Sequence, residues 1–299
     1  MPPSVARPTH WQLRSRRLSL PEPGRPPLLM GIVNVTPDSF SDGGRHAGVE
    51  AAVAHGLALA AAGAAMLDVG GESTRPFADP VAADEEWRRV GEVVRRLALE
   101  SSLPVSIDTS KAVVAERAVA AGAEIINDVT GLEGDPAMAE VARGSRVGVC
   151  AMHMQGTPKT MQLNPCYRDV VAEIHGYLAR RRDALLAVGI PLANICLDPG
   201  IGFGKTHEHN LELLRQAGRF LDLGCPVLVG HSRKGFLGKL AKQLQGREPD
   251  LAARDLATAA SACSLAAAGV QIIRVHDVAT VRLALAVFAA TRPPSPQQS

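Results

Sequence analysis

The chain has 299 residues, a formal net charge of +2 and a hydrophobic content of 46%, which is enough for a large core. Its near-balanced charge, dispersed basic residues and aromatic content of 3% argue against a nucleic-acid-binding protein. No apolar run reaches the length of a membrane span, so we expect no membrane partner.

The number and spacing of the cysteines indicate whether the protein is in a reducing or an oxidising compartment. Five cysteines are scattered along the chain without a CxxC pair: Cys150, Cys166, Cys196, Cys225 and Cys263. This pattern is typical of a reduced protein and not of a disulfide framework or a zinc site. The first residues lack the apolar stretch of a secretory signal, so we expect a cytoplasmic protein.

Composition divides the chain into three parts. Residues 1–27 are rich in Pro and Arg, and we predict a flexible extension that contains a short strand near Trp11–Leu20. Residues 28–292 have about the length of one (β/α)8 barrel domain. Residues 293–299 contain only Pro, Ser and Gln, and we predict a disordered tail.

Eight short apolar runs recur in the central part, and the segments between them mostly have helical patterns. The runs are Leu28–Val33, Ala65–Val69, Pro104–Ile107, Glu124–Ile126, Arg146–Ala151, Asn194–Leu197, Pro226–Val229 and Gln271–Val275. A strand–helix unit repeated eight times predicts a closed parallel (β/α)8 TIM barrel of the α/β class. Such barrels carry their chemistry at the C-terminal ends of the strands.

Apolar spacing identifies several of the helices. Asp84–Glu100 has apolar residues at helical intervals and an acidic start that suits the helix dipole. Asp277 is a credible N-cap for a helix whose apolar stripe includes Val278, Val281 and Leu285. Compact Ala-rich helices are predicted at Ala51–Ala62, Val113–Ala121 and Leu256–Ala268.

Two strand-to-helix connections are unusually long. They span residues 34–48 and 70–83, and both leave the same end of the predicted barrel from neighbouring strands. Loops of this length in a compact domain are usually lids or binding loops.

Polar residues stand at or just past the ends of the eight runs: Asn34, Glu72, Asp108, Asn127, His153, Asp198, Ser232 and His276. Asp108, Asn127 and Asp198 could together bind a heterocycle edge that carries adjacent N–H donors. Each alone could have a structural role, and Asp108 could simply cap the following helix. Their convergence on one barrel mouth favours a binding site.

Cationic side chains are predicted around the same mouth. Arg75, Lys234, Arg274 and His276 are cationic or potentially cationic and lie at strand ends or in a lid, which indicates an anionic substrate, most simply a phosphate. Asn34 offers an oxygen suited to Mg2+ or an amide donor to phosphate.

Two further motifs have competing interpretations. The glycines of DPGIGFGKT (198–206) end like a phosphate-binding P-loop, but Pro199 stands where the first glycine should be. They more simply let the backbone approach a flat ligand, with Phe203 available for stacking. His207 and His209 lack an evident third metal ligand, and their spacing suits the start of a helix.

Taken together, these residues resemble the dihydropteroate synthase family from Met30 to about Phe288. The resemblance is carried by eight motifs in order: GIVNVTPDSFSDGG (31–44), LDVGGESTRP (67–76), SIDTSK (106–111), IINDVTG (125–131), MHMQGTP (152–158), LDPGIGFGK (197–205), GHSRKG (230–235) and RVHD (274–277). It implies condensation of 6-hydroxymethyl-7,8-dihydropterin pyrophosphate with p-aminobenzoate, releasing pyrophosphate, in folate biosynthesis.

The resemblance also implies roles for individual residues. The pterin would be held by Asp108, Asn127, Met154, Asp198, Phe203, Lys234 and Arg274. Pyrophosphate would be held by Asn34, Arg75, Arg274 and His276, with Mg2+ near Asn34. The p-aminobenzoate would meet Phe40, Thr74, Pro76, Phe203, Ser232 and Lys234, at the place where sulfonamides compete in the family. Catalysis would depend on Asp108, Lys234, Arg75 and Asp38, with Asp68 in a supporting role.

The resemblance further implies a homodimer, for which the helices at Leu256–Ala268 and Val278–Ala290 are candidate contacts. Three alternatives stay open on the sequence. A pterin-binding paralogue could keep the fold without catalysis, although the intact lid and cationic residues argue against it. A methyltetrahydrofolate-dependent methyltransferase would leave the pyrophosphate residues unexplained. A scaffold barrel would not need so many polar strand ends.

Overall fold

The computed structural model describes residues 7–35 and 44–292. Its strands are β1 (His10–Gln12), β2 (Arg17–Ser19), β3 (Leu28–Asn34), β4 (Met66–Gly70), β5 (Val105–Asp108), β6 (Ile125–Asp128), β7 (Gly148–Met152), β8 (Ile195–Asp198), β9 (Leu228–Val229) and β10 (Ile272–Val275). Its α-helices are α1 (Gly44–Ala61), α2 (Ala83–Glu100), α3 (Ala112–Ala120), α4 (Met138–Ser145), α5 (Val170–Val188), α6 (His207–Arg215), α7 (Gly235–Gln245), α8 (Leu251–Ala267) and α9 (Val278–Thr291).

Strands β3 to β10 form one parallel sheet in the order β8-β7-β6-β5-β4-β3-β10-β9. A parallel bridge between Leu197 and Val227, with the Leu197 amide donating to the Pro226 carbonyl at 2.9 Å, joins the two ends of this sheet. The helices lie outside the strands and bury their apolar sides against them. The predicted (β/α)8 barrel is therefore confirmed.

The interior of the barrel has an apolar layer and a polar layer, because side chains two residues apart in a strand point to the same side. Near the strand beginnings, one buried cluster includes Met30, Met66, Ile125, Cys150, Cys196 and Ile272. Two residues later in four of these strands stand Asp68, Asn127, Asp198 and Arg274. The strand period thus places the polar layer at the C-terminal mouth.

A hairpin closes the opposite end of the barrel. β1 pairs antiparallel with β2, and the fully buried Trp11 packs in the apolar cluster at the strand beginnings with Leu13 and Leu20. The Trp11 indole N–H donates to the Asn194 carbonyl at 2.8 Å. The strand structure expected near Trp11–Leu20 is therefore present, as a hairpin. Apolar burial fixes residues 10–20 to the barrel floor, so the extension is not flexible there.

Several predicted bounds differ from the structure. Helix α1 begins at Gly44 and not at Ala51, so the first long connection ends earlier than expected. The stretch 237–254, which has no clear sequence pattern, forms most of α7 and the start of α8. Strand β9 has two residues, since the chain at Val227 contributes only the closing bridge.

Helix caps explain two of the polar motifs. Thr206 caps α6 by accepting from the His209 amide, and the His209 ring accepts in return from the Thr206 amide. His207 and His209 therefore begin a helix, as their spacing predicts. Asp277 accepts from the Thr280 amide at 3.0 Å and caps α9, which was also expected.

None of the helices in residues 7–35 and 44–292 is both long enough and apolar enough to cross a bilayer.

Candidate active site

An ion-paired network occupies the polar layer of the barrel mouth. The Arg274 guanidinium donates to Asp68 at 2.5 Å and to Asp108 at 2.7 Å, which ties β10 to β4 and β5. The Asn127 amide donates to the same oxygen of Asp68 at 3.1 Å. Asp68 is fully buried, and its second carboxylate oxygen has no hydrogen-bond partner in the described residues.

Burial controls the charge of Asp108. It raises the pKa of this carboxyl to about 7, although the nearby Arg274 opposes the shift, and Asp68 and Glu86 reinforce it. Asp108 does not cap α3, because the N-cap of that helix is Lys111 and the first helical amide, that of Ala112, donates to Asp135 at 2.9 Å. Asp108 instead lies beside Asn127, its register partner in β6, where an N–H-bearing ring could reach both.

Asp198 contributes a second buried carboxylate across the mouth. Burial raises its pKa, while the hydrogen bond from the Gly200 amide at 2.7 Å and the charge of Lys234 oppose the shift. Glycine is required at Gly200, where φ is +69° and a Cβ would lie 1.9 Å from the His153 carbonyl oxygen. The turn after β8 therefore holds the Asp198 carboxylate in place.

Lys234 and Phe203 form the opposite wall. The Lys234 ammonium lies 4.3 Å from the centre of the Phe203 ring and donates to the Ile201 carbonyl. Burial lowers the pKa of Lys234 to about 7, although Asp198 and Asp108 favour the charged form. A lysine with so low a pKa loses its charge readily unless an anion occupies the site.

Ser232 joins the Lys234 segment to β10. Its hydroxyl lies 3.0 Å from His276 Nδ1 and accepts from the His276 amide at 3.2 Å. Arg233 is in the left-handed region, with φ of +58°, and makes a two-point ion pair with Asp255 of α8 at 2.6 and 3.0 Å. These contacts orient the turn that carries both Ser232 and Lys234.

Of the four cationic or potentially cationic residues, His276 is neutral in the substrate-free mouth. Burial first, and then the positive charges of Arg233, Arg274 and Arg75, lower the pKa of His276 to about 3. The imidazole is therefore neutral near pH 7 in the substrate-free site. It can donate a hydrogen bond to an anion but adds no charge.

A buried anchor holds the second long loop. The Lys111 ammonium donates to Glu72 and, at 2.6 Å, to the fully buried Glu86 of α2. Glu72 also accepts from the Val81 amide at 3.0 Å. Glu72, which stands just past β4, therefore fixes the base of the loop and does not face the mouth as a free ligand group.

The outer part of that loop is more open. Thr74 is half-buried, whereas Arg75 and Pro76 are exposed. The Arg75 guanidinium has no hydrogen bond to the described part of the chain, but its charge acts on His276. Arg75 is thus near the mouth without joining the ion-paired network.

The structure therefore brings together the following predicted residues at one barrel mouth: Asp108, Asn127, Asp198, Phe203, Ser232, Lys234, Arg274 and His276. Met154 lies half-buried just past β7, and Asn34 lies at the end of β3. Asp38 and Phe40 lie outside the described residues.

Two residues take a larger part in the site than the sequence predicts. Asp68 was expected only to have a supporting role, yet it is the shared acceptor for Arg274 and Asn127. Lys205 received no role, yet it is 2% exposed and donates to the Phe203 carbonyl. A lysine that follows an apolar, glycine-rich turn could have signalled burial, but its contact with His153, 52 residues earlier, could not be read from the sequence.

The metal-binding capacity of the mouth is small. Among the described residues, no group of three or more His, Cys, Asp or Glu side chains could enclose a metal ion. Asn34 offers one neutral oxygen at the end of β3. This fits a Mg2+ ion held mainly by substrate phosphate and water, since Mg2+ retains several waters in such sites.

Comparisons with known sequences agree with this geometry. Residues 30–276 match the family described as pterin binding enzymes. The chain is 44% identical to a dihydropteroate synthase of Neisseria meningitidis serogroup C, over 94% of this chain and 96% of that one. It is 43% identical to the dihydropteroate synthase of Escherichia coli K12, over 89% and 92% of the two chains.

Solved structures show the same relationship in three dimensions. A Xanthomonas albilineans dihydropteroate synthase with 4-aminobenzoic acid matches with a TM-score of 0.85 and 44% identity, over 95% of this chain and 99% of that one. A Yersinia pestis dihydropteroate synthase with a sulfonamide drug matches with a TM-score of 0.85 and 41% identity, over 95% and 99%. The fold is therefore common to these proteins.

Proposed function

We propose separate roles for the residues at the barrel mouth in binding the two substrates and the leaving group. The chain belongs to the pterin binding enzyme family and acts as a dihydropteroate synthase. The reaction joins p-aminobenzoate to the methylene carbon of 6-hydroxymethyl-7,8-dihydropterin pyrophosphate. A carbon–oxygen bond breaks, pyrophosphate leaves, and a carbon–nitrogen bond forms to the arylamine. The arylamine then loses one proton.

The pterin ring fits the network of Asp108, Asn127 and Asp198. Carboxylates and an amide oxygen can accept from the ring N–H groups, and such charge-assisted hydrogen bonds are among the stronger ones. Buried negative charge at Asp108 and Asp198 also favours the positive charge that develops on the dihydropterin as its carbon–oxygen bond breaks. Met154, Phe203 and Arg274 would line the slot.

The leaving pyrophosphate requires positive charge and hydrogen-bond donors. Arg75, Arg274 and neutral His276 would supply the protein's share, with the Asn34 oxygen as the protein ligand of Mg2+. Bound Mg2+ supplies neutralisation of the charge that collects on the leaving oxygens. Arg75 is exposed and has no hydrogen bond to the described part of the chain; if it turned toward the phosphates, loop closure and charge neutralisation would occur together.

The acceptor side has Lys234, Ser232 and Phe203 on one wall and Thr74 and Pro76 on the second long loop. Asp38 and Phe40, assigned by resemblance, would complete the site from the first loop. The arylamine is already neutral near pH 7, so no strong base is needed. Orientation of its nitrogen toward the methylene carbon and exclusion of water provide the remaining rate enhancement.

The observation that carries this assignment is the Asp108–Arg274–Asp68 network at the mouth. The test is an assay of purified protein with Mg2+ and both substrates, following dihydropteroate and pyrophosphate together. We expect equal amounts of both products and a loss of at least about 100-fold in kcat/KM for Asp108→Asn, as for removal of one charged contact at a reacting site. Pterin binding without product formation would instead indicate the non-catalytic paralogue.

We also propose a homodimer and a cytoplasmic location. The homodimer is supported by exposed apolar side chains on the neighbouring helices α8 and α9, where Leu256, Leu283 and Val287 are 66%, 67% and 54% exposed. The location is supported by five free cysteines. Light scattering measures the mass of the wild type and of Leu283→Glu in solution. We expect a dimeric wild type and a monomeric variant. A monomeric wild type would exclude the homodimer.

A further inference from the structure

The five-residue turn after β8, residues 200–204, is called the glycine loop here. Side chains bind four of its carbonyls in succession: Lys234 binds that of Ile201, Gln162 that of Gly202 at 2.7 Å, Lys205 that of Phe203 at 2.8 Å, and Tyr167 that of Gly204 at 2.9 Å. The Gly202 amide also donates to Asn210 at 2.6 Å. In the part of the chain that the structure describes, only the Gly200 carbonyl of this loop accepts from a backbone amide, that of Phe203 at 3.1 Å. Four successive carbonyls bound by side chains are unusual for a loop, since most hydrogen bonds of backbone groups are to other backbone groups.

Two of these side chains, Gln162 and Tyr167, come from the connection between β7 and α5, residues 153–169, which is called the β7 loop here. The two loops also touch through their backbones. A Cβ at Gly204 would lie 2.5 Å from the Gln155 carbonyl oxygen, and φ there is +65°. The β7 loop is therefore folded directly onto the glycine loop.

Lys205 is a buried residue that donates a hydrogen bond to the glycine loop. It is 2% exposed and forms no ion pair within the described residues; its ammonium lies 3.0 Å from His153 Nδ1 and 2.8 Å from the Phe203 carbonyl. Burial lowers its pKa. Burying a lysine without a carboxylate partner costs free energy, and the contacts of Lys205 with His153 and the Phe203 carbonyl offset part of that cost.

Phe203 is the residue that all these contacts surround. It is half-buried, faces the Lys234 ammonium at 4.3 Å and belongs to the wall assigned above to the acceptor. We propose that Gln162, Tyr167 and Lys205 are positioning residues that clamp the glycine loop and so fix the Phe203 wall against which p-aminobenzoate binds. The inference rests on the proposed function for the identity of that acceptor.

The clamp predicts a separation between the two substrates. The pterin meets the loop through Phe203 and through Asp198, which accepts from the Gly200 amide. It is also held by Asp108 and Asn127, which belong to other strands and form no hydrogen bond to the glycine loop. The acceptor depends on Phe203, Lys234 and Ser232, and two of these touch the loop. Loosening the clamp should therefore weaken p-aminobenzoate binding more than pterin binding.

Tyr167→Phe and Gln162→Leu test this with minimal disturbance. In Tyr167→Phe the ring contacts with His153 and His209 persist, and only the hydroxyl on Gly204 is lost. Tyr177→Phe is the matched control, because its hydroxyl donates at 2.8 Å to Glu133 and does not touch the glycine loop. Lys205→Met, which keeps an aliphatic stem without burying a charge, gives the stronger perturbation.

We expect the Gln162→Leu/Tyr167→Phe double variant to raise the KM for p-aminobenzoate by about 10-fold, as for two lost hydrogen bonds. The KM for the pterin pyrophosphate should change by less than about twofold, and so should both constants in Tyr177→Phe. Equal changes for both substrates, or a fall in Tm without any change in KM, would overturn the clamp.

Amide hydrogen exchange gives a readout that does not need turnover. Residues 200–204 should exchange faster in the double variant and at the wild-type rate in Tyr177→Phe. Unchanged exchange in the double variant would refute the clamp. If the wild type formed no product but exchange at residues 200–204 still rose in the double variant alone, the proposed function would be refuted and the clamp would stand.

Discussion

At the scale of single residues, charge at the barrel mouth is set by burial as much as by residue type. Asp108 and Lys234 lie in the same site, and burial moves the pKa of both to about 7, one upward and the other downward. His276 is neutral at that pH for the same reason. The substrate-free mouth therefore carries less charge than its residue types indicate, and anionic substrate would restore the lysine's proton.

These pKa values predict a narrow pH optimum. Below about pH 7, Asp108 is protonated and cannot accept both pterin N–H groups; above about pH 7, Lys234 loses its charge. The kcat/KM for the pterin substrate, which reports on the free enzyme, should fall on both sides of pH 7. In Asp108→Asn the acidic limb should disappear while the alkaline limb remains; an unchanged acidic limb would assign it to another group.

Asp68 should matter for pterin binding although its role is indirect. In Asp68→Asn, Arg274 loses one of its two carboxylates, and the new amide cannot accept from Asn127 as strongly. Calorimetric titration with the pterin substrate should show affinity reduced about 10-fold, since hydrogen bonds to charged groups contribute about 1.5–3 kcal/mol. Asp183→Asn, at an exposed site, is the control, and equal affinity in both variants would contradict the role.

At the scale of elements, the loops are held by buried polar anchors and not by regular structure. Glu72, Glu86 and Lys111 join the base of the second long loop to α2 and α3. Gln162 and Tyr167 join the β7 loop to the glycine loop. In each case a loop that carries site residues is bonded to a neighbouring unit of the barrel, which limits the entropy lost when substrate binds.

Removing the lysine of the first anchor should destabilise the protein strongly. Lys111→Met leaves Glu86 buried without a cation, which costs about 3–5 kcal/mol. Urea unfolding measures this loss, and adding Glu86→Gln should recover part of it. Lys159→Met is the matched control, because its pair with Asp79 is exposed and should change stability by less than about 1 kcal/mol. Equal losses in the two lysine variants would rule out a buried anchor.

At the scale of the whole molecule, the barrel separates stability from chemistry. The hairpin β1–β2 and the apolar layer fill the N-terminal end, while the ion-paired network occupies the C-terminal mouth. This separation is general for the fold. Changes at the floor should therefore alter unfolding without altering substrate recognition.

Trp11→Ala tests that separation. The side chain is fully buried, so its truncation should reduce the free energy of unfolding by about 3–5 kcal/mol. Both KM values of the folded fraction should stay at the wild-type level. Trp87→Ala, at a half-buried position on α2, should cost less. A large KM change in Trp11→Ala would show that floor and mouth are coupled.

The sequence by itself determined the barrel, the end of it at which polar side chains gather and most of the residues that meet there. These follow from local regularities: apolar runs of strand length, helical spacing between them, and polar residues at the run ends. The two-residue strand period also fixes which side chains share a layer, because it depends only on backbone geometry. The eight ordered motifs supplied the reaction.

Only the tertiary structure decided how these residues are paired. Arg274 meets Asp68 across 206 positions of sequence, and Trp11 meets Asn194 across 183. Such contacts exist because the sheet closes, and no local pattern encodes them. The same closure buries Lys205, neutralises His276 and turns Glu72 into a loop anchor, since pKa values and partners depend on what surrounds a group and not on its neighbours in the chain.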